Sequence, residues 1–240
     1  MKLNVLLSPG NTDDLYFTGK TTVVIDVLRA STTIVEALKN GAKDVVPVAT
    51  VEFAVKISGG MFGGQTLLCG ERNTKKIEGF ALGNSPLEYK KEIIGGKSIV
   101  FYSTNGTRAI VKAKFSENLF ICALSNMNAV AKHLLKLGKD CVILCAGNNN
   151  LFSLEDSVCA GALIDEMIKK DKEVVLSDSA KGALALNNSF GKNKLPILTE
   201  SEHGKILTKN GFIRDLEFCS NENINSVIPY YTNSVLKALG

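Results

Sequence analysis

Short apolar runs alternate along the chain with segments in which apolar residues recur at helical spacing. The apolar runs predict strands at residues 3–7, 23–25, 45–49, 66–69, 98–102, 119–122 and 141–145. The helical spacing predicts helices at about residues 33–40, at 51–58, after residue 85, from about 109, at 126–137, and from about 152 through 167. This alternation is typical of an α/β fold in which a mostly parallel sheet carries helices on both faces.

The pattern is less regular beyond Asp171. It predicts a short strand at 174–176, helices near 179–186 and 199–209, and strands near 213–218 and 226–230. A glycine-rich break at 59–64 has the outer spacing of a nucleotide P-loop. However, Gln65 stands in place of the phosphate-binding lysine, and the break precedes a strand, so we reject that interpretation.

The segment from Val23 to Glu36 joins a buried strand to a helix. Thr33 and Glu36 form a capping box, and Gly41 is a natural helix stop. A loop should therefore hold four polar residues beyond the carboxyl end of the strand, where open α/β sheets bind ligands: Asp26, Arg29, Ser31 and Thr32. The alternative is that these side chains only cap and turn the chain.

Arginines follow strands in three hydroxyl- or glycine-rich loops, at Arg29, Arg72 and Arg108. A rigid guanidinium suits phosphate or carboxylate. The best anion-binding loop runs from Ser103 to Arg108 and offers Ser103, Thr104, Asn105, Gly106 and Thr107. A structural turn with Thr107 as the helix N-cap would look similar. A second capping box, of Ser85 and Glu88, predicts another helix start.

Four carboxylates follow predicted strands or open a predicted helix: Asp26, Glu71, Glu155 and Asp156. They are expected to converge at one end of the sheet. Hard oxygen ligands without histidine or thiolate favour Mg²⁺. Alternatively, Glu155 and Asp156 only complement a helix dipole.

Charge and composition narrow the class of protein. The net charge is only +4 and the lysines are dispersed, so we expect no nucleic-acid partner. No apolar run reaches the length of a membrane span and the first one is too short for a secretory signal, so we expect a cytoplasmic protein without membrane contact. The six cysteines lie mostly in apolar segments without a C-x-x-C pair and should be reduced and mainly structural. His133 and His203 are expected at the solvated surface.

Six motifs follow one another in a specific order. They are residues 26–30 (DVLRA), 70–72 (GER), 79–80 with 82–86 (GF and LGNSP), 103–108 (STNGTR), 145–147 (CAG) and 155–156 (ED). In this order and spacing they resemble the 2-phosphosulfolactate phosphatase family, and the resemblance weakens beyond Asp171. Ala81 stands where we expect an acidic residue, and Asn73 lies where we expect another glycine nearby. These departures bear on the choice of substrate.

The resemblance implies Mg²⁺-dependent hydrolysis of 2-phospho-3-sulfolactate to sulfolactate and inorganic phosphate, on the route to coenzyme M. It also implies an α/β fold of two related subdomains. We place their boundary near residue 120: residues 1–120 would carry most of the phosphate and Mg²⁺ site, and residues 121–240 would supply the loop from Cys145 to Asp156. A homodimer is expected only because two-fold assemblies are common.

The predicted catalytic residues are Asp26, Arg29, Glu71, Arg72 and Arg108. The predicted substrate contacts are Ser31, Thr32, Asn84, Ser85, Ser103, Thr104, Asn105, Gly106, Thr107 and Cys145. The predicted metal ligands are Asp26, Glu71, Glu155 and Asp156. The nucleophile is expected to be metal-activated water, then Asp26, and last Cys145, because an apolar strand raises a thiol's pKa. Two other classes stay open: a non-catalytic sensor of phosphorylated metabolites, and a phosphosugar isomerase or lyase with Glu71 as the base.

Overall fold

The computed structural model describes residues 1–10, 12–58, 66–190 and 193–240. Strands are β1 Lys2–Leu6, β2 Thr21–Ile25, β3 Asp44–Val48, β4 Thr66–Arg72, β5 Lys75–Lys76, β6 Ser98–Tyr102, β7 Asn118–Cys122, β8 Cys141–Cys145, β9 Val175–Leu176, β10 Pro229–Thr232 and β11 Val235–Ala238. Helices are α1 Ala30–Lys39, α2 Val51–Ser58, α3 Lys91–Ile94, α4 Gly106–Lys112, α5 Met127–Leu137, α6 Leu154–Lys170, α7 Asp178–Phe190, α8 Leu195–Glu200, α9 Glu202–Lys209 and α10 Ile213–Cys219. The break predicted at 59–64 lies outside the described residues.

One sheet contains all of these strands, in the order β5-β4-β6-β3-β11-β10-β7-β2-β8-β1-β9. The predicted α/β class and mostly parallel sheet are confirmed. One parallel block is β4-β6-β3, and the other is β7-β2-β8-β1-β9. The antiparallel hairpin of β10 and β11 joins them.

The two blocks run in opposite directions along the sheet, because three successive pairings across the hairpin are antiparallel. Strands also twist relative to their neighbours by roughly 20–25° each. This twist accumulates over the five steps from β6 to β2, so the strand directions alone do not fix which ends meet. A shared core contains Val24 of β2, Phe101 of β6, Ile34 of α1 and Ile110 of α4, so both blocks pack around these helices.

Two related subdomains are not confirmed. Strands β1 and β2, from the first half of the chain, pair with β8, from the second half. The boundary near residue 120 stays a prediction.

The predicted strand at 213–218 is wrong, because this segment forms α10. Leu216 and Cys219 are buried three residues apart, which is helical spacing. The helix predicted at 199–209 is two helices, α8 and α9, separated at Ser201, whose hydroxyl accepts a hydrogen bond from the Gly204 N–H at 3.0 Å. The strand predicted at 226–230 begins later, and its hairpin partner β11 was not predicted.

In the described residues, no helix is both long enough and apolar enough to cross a membrane. All six cysteines are free and buried.

Candidate functional site

Asp26, Glu71, Glu155 and Asp156 are all buried, with exposed fractions of 3–6%. We call them the carboxylate cluster. Asp26 directly follows β2, and its Oδ1 accepts a hydrogen bond from the Ala30 N–H at 3.3 Å. Its own N–H donates to Ser31 Oγ at 2.8 Å. These two bonds fix Asp26 at the start of α1.

The predicted start of α1 near Thr33 is wrong. Asp26 satisfies the free N–H of Ala30, so the helix begins three residues earlier. Ser31 and Thr32 therefore lie in its first turn, and Thr32 Oγ1 donates to Val27 O at 3.0 Å. Thr33 does not cap the helix, since its hydroxyl donates to Asn84 O at 2.9 Å.

Asp156, in the first turn of α6, connects two loops. Its Oδ1 accepts from the Val27 N–H at 2.9 Å, and its Oδ2 accepts from the Gly147 N–H at 3.1 Å. The loop after β2 and the loop after β8 are thereby held to α6. Asp156 thus does more than complement the helix dipole.

Glu71 connects the other parallel block to the site. It lies on β4, which continues through Arg72 instead of ending at Cys69 as predicted. Glu71 Oε2 accepts from the Thr74 N–H at 2.8 Å, and Oε1 accepts from the Thr104 N–H at 2.7 Å. The carboxylate therefore fixes the loop after β6 against the β4–β5 turn.

Burial and mutual repulsion disfavour ionisation within the cluster. Burial is the largest effect on Asp26 and, with the charges of Glu71 and Glu155, raises its pKa to about 7. The Ala30 N–H and the Arg29 charge lower the pKa only in part. Burial, then the charges of Asp26 and Glu155, raise the pKa of Asp156 well above its ordinary value. Binding of a proton or a cation would therefore stabilise the cluster, because either one reduces its buried negative charge.

No group of three or more His, Cys, Asp or Glu side chains among residues 1–10, 12–58, 66–190 and 193–240 is arranged to hold a metal ion. Mg²⁺ typically needs only one or two protein carboxylates, with waters and substrate phosphate completing its shell. Within the cluster, Asp26 Oδ2 accepts no hydrogen bond from any described residue. The Mg²⁺ site stays a prediction.

The three arginines predicted at the site lie in different environments. Arg29 is 1% exposed, and its Nη1 pairs with Asp215 Oδ2 at 2.7 Å. Its Nη2 donates to Thr74 O at 2.7 Å, and its guanidinium lies 4.3 Å from the ring centre of Phe212. Arg72 is exposed on β4. Arg108 is exposed on α4 and lines a cavity. Their roles as anion ligands stay predictions.

The loop from Ser103 to Arg108 is stabilised by its own hydroxyls. Ser103 Oγ accepts from the Thr107 N–H, and Thr107 Oγ1 accepts from the Ser103 N–H, both at 2.9 Å. Thr107 is not the N-cap, since α4 begins at Gly106 after Asn105. Asn105 Oδ1 accepts from the Asn149 N–H at 3.1 Å, so this loop also contacts the loop after β8.

Gly106 packs directly against Asp26. A Cβ at this position would overlap Asp26 Oδ2 and lie 2.5 Å from the Cβ of Ala30. Ala30 has no flexible side chain that could move aside, so only glycine allows α4 to approach α1 this closely. This contact brings the loop after β6 to the carboxylate at the end of β2.

We expect Gly106→Ala to lower the free energy of unfolding by roughly 1–3 kcal/mol, the usual range for overpacking, and to reduce any activity that depends on Asp26. Gly182→Ala in α7 is the matched control, because its Cβ would meet nothing within 4 Å. Removal of a helix glycine should stabilise that variant by up to about 1 kcal/mol. Urea unfolding of both variants checks the prediction, and equal effects in both would contradict it.

Three further predicted substrate contacts lie in protein interior. Asn84 is buried, and its Oδ1 has no hydrogen-bond partner among the described residues. The Ser85 hydroxyl donates to Asp215 Oδ1 at 2.7 Å instead of capping a helix, while Glu88 Oε2 accepts from the Gly83 N–H at 2.6 Å. The predicted capping box of Ser85 and Glu88 is therefore wrong.

Cys145 has no exposed surface. Burial, then the charge of Asp156, raise the pKa of its thiol well above the ordinary value. The expectation that the apolar strand raises this pKa is confirmed, and the side chain stays a neutral thiol at neutral pH.

A cavity of about 150 Å³ lies beside the cluster, and we call it the Glu71 cavity. Its lining comprises Glu71, Asn73, Thr74, Thr104, Asn105, Asn148, Asn149, His203 and Ile206. A neighbouring cavity of about 420 Å³ is lined by Glu155 and again by Asn148 and His203. The two cavities thus share one wall.

His203, expected at the solvated surface, is half-buried in this wall. Burial lowers the pKa of its imidazole, and the charges of Glu71 and Arg29 act on it in opposite directions. Only a weak sequence signal indicates this position for His203. Ser201 is the N-cap of α9, so His203 lies in the first turn of that helix.

Comparison with known proteins identifies similar chains. A family model described as 2-phosphosulpholactate phosphatase matches residues 7–234. Three relatives bear the name probable 2-phosphosulfolactate phosphatase. The relative from Clostridium tetani is 41% identical over 238 residues, covering 99% of this chain and 100% of the relative. The relative from Thermotoga petrophila is 44% identical over 216 residues, covering 90% and 91%. The relative from Clostridium perfringens is 39% identical over 241 residues, covering 100% and 97%.

Proposed function

Because this chain belongs to the 2-phosphosulfolactate phosphatase family, we propose that it hydrolyses the phosphate monoester of 2-phospho-3-sulfolactate to sulfolactate and inorganic phosphate. The observation that carries the proposal is the family match over residues 7–234, which includes the whole carboxylate cluster and the Ser103 to Arg108 loop. The substrate is a small polyanion with phosphate, carboxylate and sulfonate groups. Its binding beside four carboxylates requires compensating positive charge.

We further propose that Mg²⁺ supplies part of that charge, with Asp26 as its first protein ligand. When bound, the ion would neutralise phosphate oxygens and activate water. The free Asp26 Oδ2 and the repulsion among Asp26, Glu71 and Glu155 support this proposal, because a cation relieves that repulsion. Glu71 and Asp156 each use both oxygens to accept backbone N–H groups, so their first task is to hold the surrounding loops.

Asp26 is also the residue best suited to exchange a proton. Its pKa of about 7 lies close to neutral pH, where a general acid or base works best. Cys145 is a poor nucleophile because it is a buried, neutral thiol. Water and Asp26 remain as candidate nucleophiles, and a trapped phosphoenzyme after acid quench would identify Asp26.

The proposal is tested by measuring inorganic phosphate released from 2-phospho-3-sulfolactate by the wild type, with Mg²⁺ and with EDTA. We expect release that requires the metal. Binding without release, seen as a ligand-dependent rise in Tm that is independent of Mg²⁺, would contradict the proposal and favour a sensor. Conversion of a phosphosugar without phosphate release would favour an isomerase or lyase.

Three finer predictions go with this function: a place in coenzyme M synthesis, a cytoplasmic location and a homodimer. The first follows from sulfolactate being the product. Light scattering with size-exclusion chromatography would test the last.

A further inference from the structure

Thr74 lies in a turn whose backbone conformation disfavours threonine. The turn joins β4 to β5 through Asn73 and Thr74, between the paired residues Arg72 and Lys75. Asn73 has a φ of 53° and Thr74 a φ of 71°. Two-residue hairpin turns with positive φ at both positions favour glycine at the second, and a branched side chain is rare there. Thr74 is also buried, with an exposed fraction of 5%. Its contacts must therefore compensate for the unfavourable backbone conformation.

The N–H, the C=O and the hydroxyl of Thr74 each take part in a hydrogen bond. The N–H donates to Glu71 Oε2 at 2.8 Å, and the C=O accepts from Arg29 Nη2 at 2.7 Å. Both of these side chains lie near Asp26, because their charges, after the larger effect of burial, also shift its pKa. Thr74 Oγ1 accepts from Asn210 Nδ2 at 2.7 Å, across 136 residues. The backbone of Thr74 thus holds two residues of the site, and its side chain is held by Asn210.

Asn210 has a fixed position at the end of α9. The two residues that follow it, Gly211 and Phe212, donate their N–H groups to carbonyls in the last turns of the helix, at 3.1 Å and 2.9 Å. Gly211 has a φ of 85°. These features define a Schellman motif, which ends a helix in one specific geometry. The same motif places the Phe212 ring 4.3 Å from the guanidinium of Arg29. The end of α9 therefore contacts both Thr74 and Arg29.

Resting on the proposed function, we propose that Thr74 and Asn210 are positioning residues for the phosphatase reaction. The hydrogen bond between their side chains holds the β4–β5 turn, so that Glu71 and Arg29 keep their places near Asp26. Without this bond, Thr74 is released to the negative φ that threonine favours, and its N–H and C=O then turn away from Glu71 and Arg29. Neither Thr74 nor Asn210 is a predicted site residue, and neither needs to touch the substrate.

The first test compares two helix-end asparagines. Asn40 ends α1 as Asn210 ends α9: Gly41 follows it with a φ of 87°, and its Nδ2 donates to Tyr89 O at 2.9 Å. Each variant, Asn210→Ala and Asn40→Ala, loses hydrogen bonds at a helix end and should lower the Tm by about 2–4 °C. Only Asn210→Ala should lower kcat/KM for 2-phospho-3-sulfolactate, by about 3- to 10-fold, the effect of one neutral hydrogen bond. Equal losses of kcat/KM in both variants, or no loss in Asn210→Ala, would overturn the proposal.

The second test replaces Thr74 itself. Thr74→Ser keeps the hydroxyl that accepts from Asn210, so its kcat/KM should stay within about twofold of the wild type. Thr74→Val keeps the shape of the side chain but removes the acceptor, and it should lose as much kcat/KM as Asn210→Ala. Adding Asn210→Ala to Thr74→Val should then cause no further loss, because both substitutions remove the same hydrogen bond. Wild-type activity in Thr74→Val, or fully additive losses in the double variant, would contradict the assigned roles.

Amide hydrogen exchange followed by NMR gives a readout that does not need turnover. The Thr74 amide hydrogen should exchange about 3- to 10-fold faster in Asn210→Ala than in the wild type, and at the wild-type rate in Asn40→Ala. If the wild type does not hydrolyse 2-phospho-3-sulfolactate, the phosphatase function fails, whereas faster exchange at Thr74 would still support the role of Asn210 in holding the turn. Unchanged exchange in Asn210→Ala would refute that role.

Discussion

Asp26→Asn is expected to reduce phosphate release by at least about 10²-fold, because the substitution removes a metal ligand, a proton-exchanging group or the nucleophile. The fold should tolerate it. An asparagine can keep the hydrogen bond from the Ala30 N–H and fits the same space beside Gly106. Measuring inorganic phosphate from 2-phospho-3-sulfolactate checks the loss, and wild-type turnover in the variant would remove Asp26 from the chemistry.

The same variant should be more stable than the wild type at pH 8. Since folding raises the pKa of Asp26 from 3.8 to about 7, the folded wild type holds an extra proton between these values. Its stability therefore falls as the pH rises from about 4 to about 7, at up to about 1.4 kcal/mol per pH unit. Asparagine does not titrate, so we expect Asp26→Asn to gain roughly 2–4 kcal/mol over the wild type at pH 8 and less at pH 5.

Urea unfolding without metal at pH 5 and pH 8 measures this difference. Asp178→Asn is the control, because the Asp178 side chain is fully exposed and its loss should change stability by less than about 0.5 kcal/mol at either pH. A less stable Asp26→Asn at pH 8 would show that the native carboxylate is ionised and well paired. Added Mg²⁺ should raise the Tm of the wild type at pH 8 but not that of the variant, if Asp26 binds the ion.

Local pattern was enough to find where the carboxylates lie along the chain. Asp26 follows a β-branched run, and Glu155 and Asp156 open a long amphipathic helix, so each was placed near the end of a correctly predicted element. Their burial and mutual repulsion could not be predicted, because both depend on neighbours far along the chain. Asp156, for example, holds the Val27 N–H across 129 residues.

The pattern of apolar and polar residues also could not predict how the two parallel blocks of the sheet are joined. An all-parallel sheet would bring every carboxyl end to one edge, and that reasoning placed Asp26 and Glu71 together. In the structure their strands belong to blocks that run in opposite directions. The loop after β6 connects the two carboxylates, because Gly106 packs on Asp26 and the Thr104 N–H donates to Glu71. The inserted β10–β11 hairpin that reverses the direction lies at the end of the chain, where the pattern was weakest.

The segment at 213–218, predicted as a strand, holds the partner of Arg29. Read as a strand, its acidic residues alternate with apolar ones and Asp215 would face solvent. As helix α10 it buries Asp215 at 3% exposure, where the carboxylate accepts from both Arg29 and Ser85. The position of Arg29 in a hydroxyl-rich loop after a strand predicts an anion ligand, whereas its main visible contact is Asp215, an internal partner that sequence patterning does not reveal.

Arg29→Met is expected to lower the free energy of unfolding by roughly 3–5 kcal/mol, since it leaves Asp215 as an unpaired buried charge. Asp215→Leu should cost a similar amount by leaving Arg29 unpaired. The double variant should recover much of the loss, because an apolar pair of similar volume can replace a buried ion pair. Glu117→Gln, which breaks the exposed pair with Lys139, is the control and should cost less than about 1 kcal/mol.

Urea unfolding of the four variants, with KM measured on those that fold, separates two roles of Arg29. Coupling between the single substitutions would show that Arg29 acts through Asp215 of α10, which also accepts a hydrogen bond from Ser85. Unchanged stability with a raised KM in Arg29→Met would contradict that and make Arg29 a substrate ligand. We expect coupling, because a guanidinium that is 1% exposed and already donates to Asp215 and Thr74 has only Nε left without a partner among the described residues.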